Sequence, residues 1–218
     1  MNKVIKNIPF YENTIDNTHC FQASLKMILK FFIPSRDFSF EELDTISEKK
    51  EGLWTWSMAA LIWMQKNGFE VVNIEIFDYN KFIDRGEKYL MEEFGKEIAE
   101  IQIRKSDIGK ERKSSKVFLE NIKTIKIIPK KQDIFNLINE GYVVVVSLNS
   151  RILDDEQGYA SHFVIIKGYD DNNFILNDPG LPGIENRTVS FDIFKKAWAY
   201  PNERAKNITA FKLKNNPS

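Results

Sequence analysis

The sequence predicts an α+β fold in which a buried N-terminal helix packs on a C-terminal antiparallel sheet. Three observations carry that prediction. The stretch CFQASLKMILKFF, residues 20–32, repeats polar residues at Gln22, Lys26 and Lys30 and is otherwise small or apolar. It therefore reads as a helix showing water one narrow stripe and burying the rest. The last third of the chain is a series of short β-rich runs, YVVVVSL, HFVIIKGY, NNFILND, NRTVSF and NITAFKLK, separated by turn residues. Between the halves there is no repeat, low-complexity tract or linker, so residues 1–218 read as a single domain with helices first and strands after.

The elements follow in order. Pro34 closes the first helix. SFEELDTISEKK opens a second, with Ser39 as N-cap and Glu42 three residues later. TWSMAALIWMQKNG is a third amphipathic helix, ended at Asn67-Gly68, and FEVVNIEIF is a strand. Residues 78–130 form a charged helical segment in which KYLMEEFGKEIAEI and SSKVFLENIKTI carry apolar stripes. The very hydrophilic run between them, IRKSDIGKERKSSK, reads as a solvated connection between helices. IKIIP is a short β-rich run, KKQDIFNLINEG a helix before the main strands, and FDIFKKAWAY a helix interrupting them. Trp54, Trp56, Trp63 and Trp198 read mainly as core, with lining a substrate groove as the alternative.

Composition narrows the function. Lys plus Arg equals Asp plus Glu at 31 each, so no overall field favours nucleic acid. The apolar runs are too short to insert in a membrane, and MNKVIKNIPFYEN lacks the uninterrupted apolar core of a secretory signal. A lone cysteine suits a reducing, cytoplasmic setting. One Cys and two His exclude a thiolate-rich structural zinc site, and the sequence implies no cofactor. The thiol is thus present for packing or for reactivity.

Reactivity has a physical basis. At a helix start Cys20 meets unpaired backbone N–H groups and the positive end of the dipole, both of which favour the thiolate. It lies about 200° around the axis from Gln22, away from the polar stripe. His162 begins the strand HFVIIKGY, where an imidazole could accept and return the proton. His19 reads as a loop residue. Asp178, in ILNDPG, ends the following strand and could fix the tautomer of His162. Asn177 is the substitute if the register slips by one. The turn DDNN centres this hairpin at Asp171–Asn172, which sets His162 and Asp178 three positions out of register, roughly 10 Å. A bulge or longer loop around Tyr169–Asn172 is expected to close that gap.

A loop leading to C-x-x-A-S-L-x-M-I-L, then H-F-V-I-I-K-G-Y-D and N-D-P, resembles papain-like cysteine peptidases, and among them the double-glycine leader peptidases that process bacteriocins. The likeness covers residues 8–32 and 141–180. It implies a papain-like cysteine proteinase fold, with Cys20 as nucleophile, His162 as general base and acid, and Asp178 as orienter. The family has a Gln six residues before the cysteine to bind the oxyanion; here Thr14 stands there, leaving Asn13 as first candidate and Asn17 as second. Phe21-Gln22 replaces the family's Gly-Pro. The resemblance implies hydrolysis of a peptide or other amide-containing substrate through an acyl-enzyme. Acyl transfer by the same apparatus, or a weakly active binding or scaffold protein, are the alternatives. The oligomeric state is not legible.

Overall fold

The computed structural model describes residues 3–4 and 7–214. The first half runs β1 (Lys3–Val4), α1 (Cys20–Phe32), α2 (Phe40–Ser47), α3 (Met58–Lys66) and β2 (Phe69–Glu75). A helical stretch follows: α4 (Tyr79–Arg85), α5 (Glu87–Phe94), α6 (Lys96–Lys105) and α7 (Ile108–Asn121). Then come β3 (Thr124–Ile125), α8 (Lys131–Asn139), β4 (Val143–Asn149) and α9 (Ser150–Leu153). The chain continues with β5 (Ser161–Tyr169), β6 (Asn173–Asp178), β7 (Ile184–Ser190), α10 (Phe191–Trp198) and β8 (Asn207–Leu213).

The strands form one sheet in the order β3-β2-β8-β4-β5-β6-β7, and β1 pairs with the far end of β5. Every pairing is antiparallel except β2 with β3. The α+β expectation holds, with one addition: β2, from the helical half, joins the sheet beside the final strand.

Alternation along the strands sorts the core into two layers. Val143, Val145, Ile165 and Phe211 pack with Leu25, Met27, Ile28 and Leu29 of α1. Val144, Val146, Val164, Ile166 and Leu176 pack on the opposite face with Ile134 of α8 and Phe194 and Trp198 of α10. Covering both faces removes the β-branched side chains of Val143, Val144, Val145 and Val146 in β4 from water. Each such burial is worth about 1.5–3 kcal/mol.

Four local readings are corrected. The polar stripe of α1 does not face water. Gln22 is fully buried and its amide donates to Ser47 Oγ (2.8 Å) and Thr55 Oγ1 (2.9 Å), while Lys26 sits 3.6 Å from Asp37. The stripe is therefore a polar seam against α2 and the loops around it. IRKSDIGKERKSSK is not a connection: apart from a break at Ser106–Asp107 it is helical, spanning the end of α6 and the start of α7. Asp107 caps α7 by accepting from the Lys110 N–H at 2.9 Å. KYLMEEFGKEIAEI is two helices, broken at Gly95, whose φ of 80° a side chain would strain. Of IKIIP only its first residue, Ile125, is in a strand.

Two further local expectations hold. Ser39 accepts from the Glu42 N–H at 3.1 Å, and α3 ends at Asn67-Gly68. No helix among the described residues is long and apolar enough to cross a membrane.

Candidate active site

Cys20 opens α1, with His19 as the N-cap residue. The His19 side chain makes no cap. Asn13, from the preceding loop, supplies one instead: its Oδ1 accepts from the His19 N–H at 2.7 Å and the Thr14 N–H at 2.9 Å. The Asn13 N–H in turn donates to the Pro179 carbonyl at 2.9 Å. One asparagine thus ties the helix that carries the thiol to the residue that follows Asp178.

Asn13 is buried, and one of its amide hydrogens goes to Asn17 Oδ1 at 2.8 Å. An amide nitrogen has two hydrogens, so one remains for a ligand. Asn17 is exposed, has φ of 55° and serves as that acceptor, which makes it the weaker of the two candidates. The Thr14 hydroxyl is engaged with Asp16 and His19. His19 is more than a loop residue: its ring lies between Asp16 (3.1 Å) and Asp44 (3.2 Å) and edge-on to Phe40.

His162, at the start of β5, is buried, and its Nε2 lies 2.6 Å from Asp178 Oδ1. That leaves Nδ1 as the nitrogen available to Cys20, whose thiol lies close enough for the two groups to shift each other's protonation. The structure therefore brings together the three residues read from the sequence, from an early helix and two late strands.

The hairpin achieves this differently from the expectation. Tyr169 pairs with Phe174, so the turn is centred at Asp171–Asn172, as DDNN dictates. A bulge lies at Lys167, earlier than expected, and beyond it Ile165 pairs with Asn177. Extending that register sets His162 opposite position 180, two beyond Asp178 rather than three. The difference is one of parity. A slip of three would put the two side chains on opposite faces, whereas a slip of two leaves them on one face as diagonal neighbours within reach of each other.

Lys167 holds the distortion in place. Its ammonium donates to Asn186 Oδ1 at 2.6 Å. Asn186 lies in a second irregularity, on β7, at φ of 57°. Asn177 is not the substitute for Asp178. It faces α1, with its amide 3.8 Å from Met27 Sδ and its Oδ1 accepting from the Asn186 N–H at 3.4 Å.

Arg187, which the sequence reading passed over, completes the charge balance. Its Nη1 lies 2.8 Å from Asp178 Oδ2 and 2.8 Å from Asp154 Oδ1, and Nη2 donates to the Leu153 carbonyl. Asp178 Oδ1 also accepts from the Gly180 N–H at 3.0 Å.

These contacts set the protonation states. Burial pushes the Asp178 carboxyl up, but the hydrogen bond and charge of His162 and the charge of Arg187 outweigh it and hold the group below its ordinary value. For His162, burial lowers the pKa, and the hydrogen bonds and charges of Asp178 and Cys20 raise it well above the ordinary imidazole value. Enclosure pushes the Cys20 thiol up. The hydrogen bond and charge of His162 and the N–H groups of Phe163 and Phe21 reverse that, leaving the thiol below its ordinary value. The balance favours a thiolate–imidazolium pair backed by an ionised carboxylate.

That combination, a cysteine opening the central helix beside a sheet histidine and its carboxylate, agrees with a family model spanning residues 5–206, described as the Peptidase_C39 like family. The chain belongs to this family. Two solved structures share the fold. A C39-like peptidase described as putative, from Bacillus anthracis, aligns with a TM-score of 0.54 at 14% identity, over 99% of this chain and 100% of that one. The peptidase domain of Streptococcus ComA, described as a bi-functional ABC transporter involved in a quorum sensing pathway, aligns with a TM-score of 0.50 at 13% identity, over 96% and 100%. No curated protein matches the chain in sequence. The papain-like expectation, and within it the likeness to the double-glycine peptidases, is thereby borne out for family and fold.

Proposed function

We propose that the protein is a cysteine hydrolase that cleaves a peptide or other amide bond through Cys20, His162 and Asp178. The observation that carries this reading is the His162 ring, hydrogen-bonded at 2.6 Å to Asp178 on one nitrogen, with the Cys20 thiol near enough to raise the pKa of the ring. The Cys20 thiolate attacks the scissile carbonyl carbon, forming a C–S bond and an oxyanion. The His162 imidazolium gives its proton to the leaving nitrogen as the C–N bond breaks, and a thioester remains. Water, losing a proton to the now neutral imidazole, attacks that thioester. The acid departs and the thiolate–imidazolium pair is restored.

Asp178 stays ionised throughout and stabilises the imidazolium, and Arg187 keeps the carboxylate aimed. In this reading the remaining Asn13 N–H stabilises the oxyanion, together with an N–H of the first turn of α1, which has no acceptor inside the helix. The reading places the enzyme in the cytoplasm. An amine instead of water in the second half-reaction gives acyl transfer from the same thioester.

The test is hydrolysis of a mixed peptide library followed by mass spectrometry. Cleavage by the wild type that disappears in Cys20→Ala and His162→Ala supports the reading. Cleavage that survives in a folded Cys20→Ala protein overturns it.

A further inference from the structure

A cavity of about 170 Å³ lies beside this site, bordered by Ser161 and Phe163, the two neighbours of His162 in β5. The Phe163 ring packs 4.8 Å from that of Phe21, and Thr55, also on the cavity wall, accepts from the Gln22 amide. The cavity wall therefore lies against the two residues that follow the nucleophile. Small-molecule pockets run to roughly 300–1,000 Å³, so this one admits a single side chain rather than a whole ligand. The charged helical segment helps to close it, contributing Tyr79, Phe94, Gln102 and Ser106.

The walls are aromatic. Trp54 and Tyr159 meet edge-to-face at 6.1 Å, and Tyr159 stacks on Tyr200 at 5.8 Å. No cation of the described residues lies over any of these three rings.

One carboxylate borders the space. Glu75, at the end of β2, accepts from the Asn73 amide and the Tyr79 hydroxyl, both at 2.7 Å and both on Oε1. Oε2 accepts from none of the described residues. Glu75 is half-buried at the cavity wall, whereas the buried carboxylates have cations: Glu93 has Arg204 at 2.6 Å, Glu111 has Lys110 at 3.3 Å, and Asp178 has Arg187 at 2.8 Å. Glu75 has no ion-pair partner among the described residues. Arg204 also borders the cavity, but its charge is matched by both oxygens of Glu93.

Enclosed carboxylates without a cation are costly, and aromatic faces attract cations. We infer that this cavity is a specificity pocket for a Lys or Arg side chain of the peptide substrate, with the cationic head at Glu75 and the stem between the aromatic walls. This rests on the hydrolase reading for the identity of the ligand, but the pocket itself needs no reactive thiol. Burial raises the Glu75 carboxyl above its ordinary value despite the two hydrogen bonds, as an unmatched charge requires, and an arriving cation reverses that.

The test is binding, measured in the Cys20→Ala protein so that it stands apart from turnover. Capped dipeptide amides Ac-Ala-Lys-NH2, Ac-Ala-Nle-NH2 and Ac-Ala-Glu-NH2 are titrated against tryptophan fluorescence, which Trp54 and Trp56 report from the cavity wall. The Lys peptide is expected to bind roughly 10- to 100-fold more tightly than the Nle peptide, which lacks only the ammonium, the range for a charged hydrogen bond. That preference is expected to vanish in Glu75→Gln.

Equal binding of the Lys and Nle peptides overturns the inference, and so does a preference for Glu. Both results come from the unmutated pocket and do not depend on the Gln variant folding. A folded Glu75→Gln protein that keeps the preference overturns it too. Binding of n-butylammonium as tight as that of the Lys peptide assigns the cavity to free amines and overturns the substrate assignment. An inert thiol with an intact Lys preference would end the hydrolase reading and leave the pocket standing.

Discussion

Replacing Asp178 with Ala removes the group that both orients His162 and stabilises its charge. The carboxylate is 4% exposed, 2.6 Å from His162 and 2.8 Å from Arg187. Its loss leaves Arg187 with Asp154 alone, so positive charge near His162 is no longer balanced and the imidazolium is disfavoured. With the pair abolished, a thiol near the ordinary value of about 8.5 is only about 3% thiolate at pH 7 and about 0.3% at pH 6. A thiol held below that range by its imidazolium is the more ionised at both. The iodoacetamide labelling of Cys20 should therefore fall in the variant, with full ionisation of the wild-type thiol setting a ceiling of roughly 30-fold at pH 7 and about 300-fold at pH 6.

The same substitution breaks a buried ion pair from one side, a change that costs about 3–5 kcal/mol. The surviving Arg187–Asp154 contact places the expected cost at about 3 kcal/mol by urea denaturation at pH 7. The sign with pH follows from the depressed carboxyl. Its contribution is complete above the ordinary Asp value near 4 and is lost as pH falls through the depressed folded value, so wild type and variant should converge in acid. A folded Asp178→Ala protein whose labelling matches the wild type from pH 5.5 to 8 would refute this reasoning.

Other substitutions separate roles that one side chain combines. Asn13→Asp keeps the oxygen that caps α1 but removes the amide donor. Activity should fall about 100- to 1000-fold with the cap on α1 kept, whereas Asn13→Ala should lose that cap as well, about 0.5–2 kcal/mol in a denaturant melt. Unchanged turnover in Asn13→Asp would remove Asn13 from the oxyanion site. Arg187→Met frees Asp178 of one partner and should shift the acid limb of the pH–rate profile upward, with turnover at pH 8 reduced less than at pH 6. A uniform loss at all pH values would mean that the arginine serves packing only. Leu25→Ala, at a position 1% exposed where α1 meets the sheet, should cost about 2–5 kcal/mol in urea denaturation without moving the labelling profile of any protein that remains folded.

What was legible in the sequence followed from apolar pattern. β4 and β5 announced themselves as β-branched runs, and α1 and α10 as apolar stripes. The errors arose where a buried stripe is built from polar atoms. α7 buries Ile108, Glu111, Ser115 and Phe118, a helical spacing half of which is polar, so its first half looked like a solvated connection. Gln22 looked wet because its partners, Ser47 and Thr55, lie 25 and 33 residues away and no local pattern reveals them.

At the site, residue types and spacing pointed to Cys20, His162 and Asp178; the structure sets His162 2.6 Å from Asp178, with Cys20 at the start of α1 nearby. Arg187 was hidden because the turn between β6 and β7 and the irregularity at Asn186 decide which residue reaches Asp178. The bulge had one local signal, Gly168 inside the strand just after the β-branched run Val164–Ile166, one residue from the observed position. The four tryptophans divided: Trp198 is core, Trp63 packs partly buried against the core on the α1 side, and Trp54 and Trp56 border the cavity.

Because the chain has a single cysteine, thiolate absorbance near 240 nm, followed against pH with Cys20→Ser as the blank, reports on that one group. A midpoint well below about 8.5 in the wild type, moving above that value in His162→Ala, is the expected result. A midpoint at or above 8.5 that ignores the loss of His162 would contradict the thiolate–imidazolium pair, and with it the proposed chemistry.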